Sequence, residues 1–264
     1  MTPDTLRTAA DVSAYADWLF GRRFEPRPGL VHVASVHVRD SVFYILHIRD
    51  DTPRSPHDAC MLRMARARAD AIVTTGRVLR AEPRLRHELS GSSAAAAVLQ
   101  SWGDRVRGRA TARVSIVLTR GRAFAPDHPL VTGSTDVVIA CPRGSADSLR
   151  ERFGGRDVDV VGLDEPTVAA VVQLAKGHWG AETVLLEAGP ATVGPLYDDG
   201  APPNELMLAE FRGGTPPHVR GGRLVHRQTL IDGMGPLQYG PTRGPHDELW
   251  RFAWLQQHRL RHAV

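Results

Sequence analysis

Apolar positions along the chain recur at two spacings, which predict helices in some segments and strands in others. In residues 5–20 they recur at helical spacing, and Gly21 ends this predicted helix. Residues 31–38 and 42–48 are instead rich in β-branched residues, and the turn-forming residues 39–41 separate them. This pattern predicts a β-hairpin after the N-terminal helix.

Helices and strands continue to alternate after the hairpin. Ser55 is a good N-cap for a helix of about four turns. The later apolar runs predict strands at 70–75, 114–119, 137–141, 158–161, 183–187 and 204–211, with helices at 146–153 and 164–176. Such alternation is typical of α/β proteins with a central, mostly parallel sheet flanked by helices. Beyond Gly213, frequent glycine, proline and arginine obscure the periodicity, so we predict no element there.

The composition is that of a soluble globular protein, with 264 residues, 42% apolar and 23% charged. No run approaches the roughly 18 apolar residues of a membrane helix, and the N-terminus lacks a secretory signal, so we expect a cytoplasmic protein with no membrane partner. The two cysteines, Cys60 and Cys141, are expected to be reduced thiols. The net charge is +4, and only Lys176 is a lysine. Any bound phosphate must therefore be held by guanidinium groups, backbone amides or histidines.

Several common catalytic and binding motifs are absent from the sequence. It contains no phosphate loop, no G-x-G-x-x-G after a strand, no G-x-S-x-G and no zinc-deaminase signature. His258 and His262 have the spacing of helical metal ligands, but their arginine-rich surroundings favour a solvated turn, and we predict no metal. Four arginines at 105, 107, 109 and 113 lack interleaved aromatics, which favours a solvated loop over a nucleic-acid interface.

Three strand-to-loop junctions carry the remaining candidate chemistry. They are residues 74–78, 118–122 and 187–192, and they combine glycines with hydroxyl, guanidinium or carboxylate groups. Ligands of open α/β sheets bind beyond the carboxyl ends of the strands. Each junction alone is compatible with an ordinary turn, whereas the three together favour a ligand that carries phosphate.

The segments 66–72, 76–85, 118–130 and 185–190 are recognisable as an ordered set. In that order and spacing, the chain resembles the reductase domain of the bifunctional riboflavin-biosynthesis deaminase-reductase, a relative of dihydrofolate reductase, across roughly residues 28–211. The resemblance implies a dihydrofolate-reductase-like α/β fold, a homodimer, and NADPH as cofactor. We accordingly divide the chain into an N-terminal helix and linker (1–27), a reductase-like domain (28–240) and a C-terminal tail (241–264).

The resemblance also implies roles for individual residues. Arg66, Leu85 and Glu187 fall on substrate-binding positions, and Glu187 is in addition a catalytic candidate. The cofactor positions are Ser35, Thr52, Thr75, Gly76, Arg77, Thr119, Arg120, and the run Gly189, Pro190, Ala191, Thr192, Val193, Gly194 and Pro195. The family reduces the ribose of a phosphoribosylamino-pyrimidine by hydride transfer, which depends on placing donor and acceptor close together.

Four departures from the family pattern concern the substrate more than the cofactor. His37 and Val38 replace the acid and glycine of a Ser-Leu-Asp-Gly motif, and Ala81, Glu88 and Ala188 replace an acid, an arginine and a glycine. His37 is either a catalytic acid or a hydrogen-bonded histidine of a half-buried strand. Arg66 is either a clamp for a substrate phosphate or a surface arginine of its helix.

The predicted function is therefore an NADPH-dependent reductase with an altered small-molecule substrate, with the family's own substrate still open. The alternative is a catalytically degenerate member that serves as a nucleotide-binding or dimerisation module. A nucleic-acid binder that depends on its arginines is the third hypothesis, and it predicts steeply salt-dependent binding of oligonucleotides.

Overall fold

The structure is a computed structural model that describes residues 1–89, 92–109, 113–133, 136–215, 217–241 and 249–257. The chain divides into two compact units. The first unit comprises Met1–Leu62 and Gly189–Val264, and the second unit comprises Arg63–Ala188. The domain boundaries at residues 27 and 240 stay a prediction.

The second unit is built on a sheet whose strand pairs are all parallel. The strand order is β7-β3-β4-β5-β6, where the strands are β3 (Ala71–Thr75), β4 (Val114–Leu118), β5 (Val137–Pro142), β6 (Val158–Leu163) and β7 (Thr183–Leu186). Every residue of β3, β4 and β7 is buried. Strands covered on both faces need continuous apolar runs, which is why these strands were predictable.

Helices alternate with these strands along the chain. They are α3 (Gly76–Ala81), α4 (Ser93–Arg107), α5 (Pro129–Gly133), α6 (Ala146–Phe153) and α7 (Val168–Trp179). An apolar core lies between β4, β5 and α6. In this core the ring centroids of Phe124 and Phe153 lie 5.0 Å apart. Leu85 packs against the same core.

The arginine cluster at 105–113 is not a solvated loop, so that prediction is wrong. Arg105 and Arg107 form the last turn of α4, and the side chain of Arg107 is only 2% exposed. Its guanidinium pairs with Asp104, and Arg109 lies 3.2 Å from the carboxylate of Asp70. Asp70 also accepts hydrogen bonds from the backbone N–H groups of residues 182 and 183. These arginines therefore tie the beginning of β3 to its neighbours.

The first unit contains a mixed sheet with the strand order β10-β8-β1-β2-β9. Its strands are β1 (Gly29–Arg39), β2 (Val42–Leu46), β8 (Glu205–Phe211), β9 (Arg220–His226) and β10 (Trp250–Gln256), and its helices are α1 (Ala9–Phe20), α8 (Pro190–Asp198) and α9 (Arg227–Met234). Helix α2 (Pro56–Ala67) crosses the chain boundary between the units. Strands β1 and β8 are parallel, and the other three pairs are antiparallel.

The predicted hairpin is confirmed as β1 and β2. Arg39 pairs with Val42, which leaves Asp40 and Ser41 as a two-residue turn, with φ of 50° and 60°. Positive φ at both central residues is the conformation whose twist suits the flanking strands, and aspartate tolerates it better than most residues. The predicted N-terminal helix is also confirmed as α1, which begins at a reciprocal capping box between Thr8 and Asp11.

Within the described part of the chain after Gly213, two strands and an α-helix were not predicted, namely β9, α9 and β10. Strand β9 has little apolar periodicity. It contains Gly221, which has to be glycine because an added Cβ would collide with the carbonyl oxygen of Ile45. Strand β10 carried a usable signal, since aromatic residues alternate at 250, 252 and 254. Strand β10 lies in the segment that we expected to be a tail, and it pairs antiparallel with β8.

The fold class is α/β, as predicted, because parallel strand pairs predominate and helices flank them. Within the described part of the chain, no helix has both the length and the apolar character needed to cross a bilayer.

Candidate functional site

The first two strand-to-loop junctions come together at the carboxyl edge of the second unit. Thr75 ends β3 and caps α3 by accepting a hydrogen bond from the N–H of Val78 at 3.2 Å. A Cβ on Gly76 would lie 3.2 Å from Oγ1 of Thr119, so the glycine permits a close approach of the two junctions. Thr119 is buried, and its hydroxyl donates to the carbonyl oxygen of Arg122 at 2.9 Å.

Arginines crowd around this edge. Arg80 donates to the carbonyl oxygens of Arg122 and Ala123 at 3.2 and 3.4 Å. Partial burial, followed by the positive charges of Arg122 and Arg77, lowers the pKa of Arg80. We name Arg77, Arg80 and Arg122 the arginine triplet; all three side chains are exposed, as is neighbouring Arg120. Like charges this close repel one another, and an anion among them would relieve that repulsion.

The third junction crosses the chain boundary between the two units. Glu187 lies in the second unit, where its backbone N–H donates to the carbonyl oxygen of Val73. Gly189 is the N-cap of α8 in the first unit, and nothing lies within 4 Å of the position of an added Cβ. Along α8, Ala191 and Pro195 are exposed, Pro190 and Thr192 half-buried, and Val193 and Gly194 buried. Convergence of this junction with the other two stays a prediction.

Arg66 and Glu187 form a buried ion pair. Nε and Nη2 of Arg66 each donate to one carboxylate oxygen of Glu187 at 2.7 Å, and the side chains are only 8% and 10% exposed. Nη1 of Arg66 donates to the carbonyl oxygens of Arg86 and Glu88. Arg66 is therefore not a surface arginine, and its guanidinium is engaged on every nitrogen. The pair joins the end of α2 to the end of β7, two elements 121 residues apart.

The pair fixes the charge state of Glu187. Burial alone raises the pKa of Glu187, but the charge and hydrogen bonds of Arg66 outweigh it and hold the pKa below its ordinary value. The same pairing holds the pKa of Arg66 above its ordinary value despite burial. Glu187 is thus a carboxylate with both oxygens occupied, which suits a positioning role better than that of a proton donor.

Two titratable residues near the pair were missed by the sequence analysis. Burial, and then the negative charge of Glu187, raises the pKa of Glu82 to about 7, with Arg66 opposing the shift. Burial lowers the pKa of His87 to about 4, and its Nδ1 lies 2.9 Å from Oγ of Ser115. We name Arg66, Glu82, His87 and Glu187 the Arg66 cluster. Only burial reveals these two shifts, so no sequence pattern indicates them.

Ser35, predicted as a cofactor residue, lies midway along β1 in the first unit. Its hydroxyl donates to Asp58 in the first turn of α2, with Oγ 2.8 Å from Oδ1 and 2.9 Å from Oδ2. Burial raises the pKa of Asp58 to about 6, and the hydrogen bond from Ser35 opposes this shift. Asp58 is another residue that the sequence analysis missed.

The other predicted residues of the first unit have local partners. Thr52 closes a turn, because its hydroxyl bonds to the carbonyl of His47 and accepts from the N–H of Arg49. His37 is 6% exposed on β1 and stacks on Tyr44, with ring centroids 5.3 Å apart. Burial, and then Arg220 and Arg39, lowers the pKa of His37, so the ring is neutral near pH 7. His258 and His262 lie outside the described residues.

The comparisons with known proteins bear on the fold. No protein-family model matches the sequence, and no curated protein matches it either. Solved structures do match. RibD of Acinetobacter baumannii is 11% identical with a TM-score of 0.58, over 88% of this chain and 59% of RibD. This chain therefore spans about three fifths of that longer protein.

Two further matches extend over nearly whole proteins. A pyrimidine reductase-like protein from Corynebacterium diphtheriae is 16% identical with a TM-score of 0.58, over 88% of this chain and 92% of that one. The riboflavin biosynthesis reductase Rib7 of Saccharomyces cerevisiae is 10% identical with a TM-score of 0.52, over 94% and 100%. At such low identity these similarities establish the fold, which is the one that the resemblance implied.

Proposed function

We propose that the chain is an NADPH-dependent reductase that transfers a hydride to a small polar substrate, of the phosphoribosylamino-pyrimidine class or close to it. The arginine triplet beside Gly76 and Thr119 is the observation that carries the proposal. It supplies an excess of guanidinium groups at the edge of the sheet where nucleotides bind in α/β folds. The likeness to pyrimidine reductases supports it through the fold.

The residues present fit a phosphorylated dinucleotide. Gly76 lets the segments after β3 and β4 approach closely at Thr119, and Arg77 and Arg122 are exposed cations in those segments. In the proposal these arginines hold the phosphate that distinguishes NADPH from NADH, because guanidinium forks bind phosphate in a bidentate manner. When bound, the reduced nicotinamide supplies the hydride.

The substrate end is assigned to the Arg66 cluster. Glu187 is held ionised by Arg66, so in this proposal it accepts hydrogen bonds from the substrate's polar edge instead of donating a proton. Opening a ribose ring to an imine-like form requires a proton at the departing ring oxygen. Glu82, with a pKa of about 7, holds such a proton near neutral pH.

The cofactor assignment is tested by titrating the protein with NADPH and with NADH and following nicotinamide fluorescence. We expect NADPH to bind at least tenfold more tightly. Arg77→Ala should weaken NADPH binding by about ten- to a hundredfold while leaving NADH binding unchanged, because a charge-assisted hydrogen bond contributes about 1.5–3 kcal/mol. Arg150→Ala, which removes an exposed arginine from the same unit, is the matched control.

Equal, weak binding of NADPH and NADH would contradict the assignment of the arginine triplet. Turnover is tested separately, by mixing the NADPH complex with a phosphoribosylamino-pyrimidine and following the loss of absorbance of the reduced nicotinamide. Tight NADPH binding without turnover would retain the cofactor proposal and reject this substrate class.

A further inference from the structure

A cavity of about 330 Å³ lies in the first unit, where β1 and β8 end. It is bounded by the loop that follows β8 and by the beginning of β9. Its lining includes three arginines, a histidine, one acid and a pair of glycines, namely Arg39, Arg212, Arg220, His37, Glu210 and Gly213–Gly214. We name it the cationic cavity. The described lining contains His37, a catalytic candidate from the sequence, but no residue that the proposed function uses.

Acids among the described lining residues do not balance the positive charges of the cavity. Among the described lining residues, Glu210 is the one acid, and it is buried and already bonded to Arg251 and to the hydroxyl of Tyr239. Among the described residues, the hydrogen-bond acceptors of Arg220 are neutral oxygens of Thr215, at 3.1 and 3.3 Å. Arg39 reaches Asp40 at 3.2 Å, but both side chains are largely exposed, and such pairs contribute little.

His37 adds a second, independent observation. It is 94% buried, and its Nε2 is buried with no hydrogen-bond partner among the described residues. A buried polar atom without a partner costs about 1–3 kcal/mol, so such positions call for an explanation. The stacking on Tyr44 fixes the ring, and the positive charges of Arg220 and Arg39 reach it. A ligand anion would give Nε2–H an acceptor and would offset those charges.

We infer that the cationic cavity binds the phosphate group of a small phosphorylated ligand, of the size of a pentose phosphate. Three guanidinium groups and a histidine N–H match the several acceptor oxygens of a phosphate monoester. Ligand pockets span roughly 300–1,000 Å³, so this cavity is at the small end and suits a sugar phosphate rather than a dinucleotide. The inference does not rest on the proposed function, because the arginine triplet plays no part in it.

The test is isothermal titration of the full chain with ribose 5-phosphate, ribose and inorganic phosphate at fixed low salt. We expect ribose 5-phosphate to bind, inorganic phosphate to compete with it, and ribose to give no heat of binding. The double variant Arg39→Gln/Arg212→Gln should bind ribose 5-phosphate at least tenfold more weakly. Both side chains are exposed, so this variant should fold, and thermal melting checks that it does.

Arg23→Gln is the matched control, since it removes an exposed arginine of the same unit that does not line the cavity. Absence of ribose 5-phosphate binding, or an equal loss of affinity in Arg23→Gln, would overturn the inference. Arg77→Ala should leave ribose 5-phosphate binding unchanged, and the double variant should leave NADPH binding unchanged. Failure of this inference is therefore distinguishable from failure of the proposed function. As a further readout, bound phosphate should raise the pKa of His37 in a proton NMR titration.

Discussion

The Arg66 cluster and the cationic cavity handle positive charge in opposite ways. In the cluster, the guanidinium of Arg66 is buried, and Glu187 compensates it with two hydrogen bonds of 2.7 Å. In the cavity, the arginines are exposed, and the nearby acid is committed to Arg251 and Tyr239. A buried charge has to be compensated within the chain, whereas an exposed cation stays hydrated until a ligand replaces the water. The comparison separates charges that stabilise the fold from charges available for binding.

The largest expected effect comes from breaking the buried pair. Arg66→Met leaves the Glu187 carboxylate buried without its partner, which should cost about 3–5 kcal/mol of unfolding free energy. The double variant Arg66→Met/Glu187→Leu should recover most of that loss, because it removes both charges. Urea denaturation followed by circular dichroism measures all three proteins.

Arg63→Met provides the control for this pair. Arg63 is an exposed residue on the same helix, three positions earlier, so its substitution should change the free energy by less than about 0.5 kcal/mol. Equal effects of the two substitutions would show that the ion pair contributes nothing particular. The Arg66 cluster would then no longer support the distinction between charges that stabilise the fold and charges that are available for binding.

A second, intermediate effect concerns Glu82. Its pKa is about 7 in the folded state and about 4.3 in an unfolded chain, so between these values the folded state binds more protons. Stability should therefore fall as the pH rises from about 4 to about 8, by on the order of 3 to 4 kcal/mol from this group. Glu82→Gln should remove this decline and be more stable than the parent at pH 8.

Urea denaturation at several pH values measures this effect, with Glu151→Gln as the control. Glu151 is an exposed glutamate on α6 of the same unit, so its substitution should leave the pH profile unchanged. If Glu82→Gln follows the parent profile between pH 4 and 8, then Glu82 is ionised in the folded state and cannot hold the proton that the proposed function assigns to it.

What the sequence could predict depends on whether the cause of a structural feature is local or distant along the chain. The strands of the second unit are continuous apolar runs, and the β1–β2 turn is set by Asp40 and Ser41, so local patterns sufficed. Strand β9 could not be predicted, because Gly221 is required by the distant carbonyl of Ile45. The periodicity of a glycine-rich segment does not indicate its register with a strand that is distant in the sequence.

The candidate site shows the same limit. Resemblance indicated Arg66 and Glu187 separately, but their mutual pairing depends on how α2 and β7 come together. The pKa of Glu82 depends on burial beside Glu187, and that of Asp58 depends on burial beside Ser35. Residue types could be predicted from sequence, whereas the charge states follow from desolvation in the folded chain.

The smallest expected effect tests the other side of the comparison. Arg39→Gln removes an exposed cation of the cavity, so we expect the unfolding free energy to change by less than about 0.5 kcal/mol. The pKa of His37 should rise, because Arg39 is one of the positive charges that lower it. Urea denaturation and a proton NMR titration of His37 measure the two quantities. A loss above about 1 kcal/mol would show that Arg39 stabilises the fold, as Arg66 does, and the two regions would no longer differ in kind.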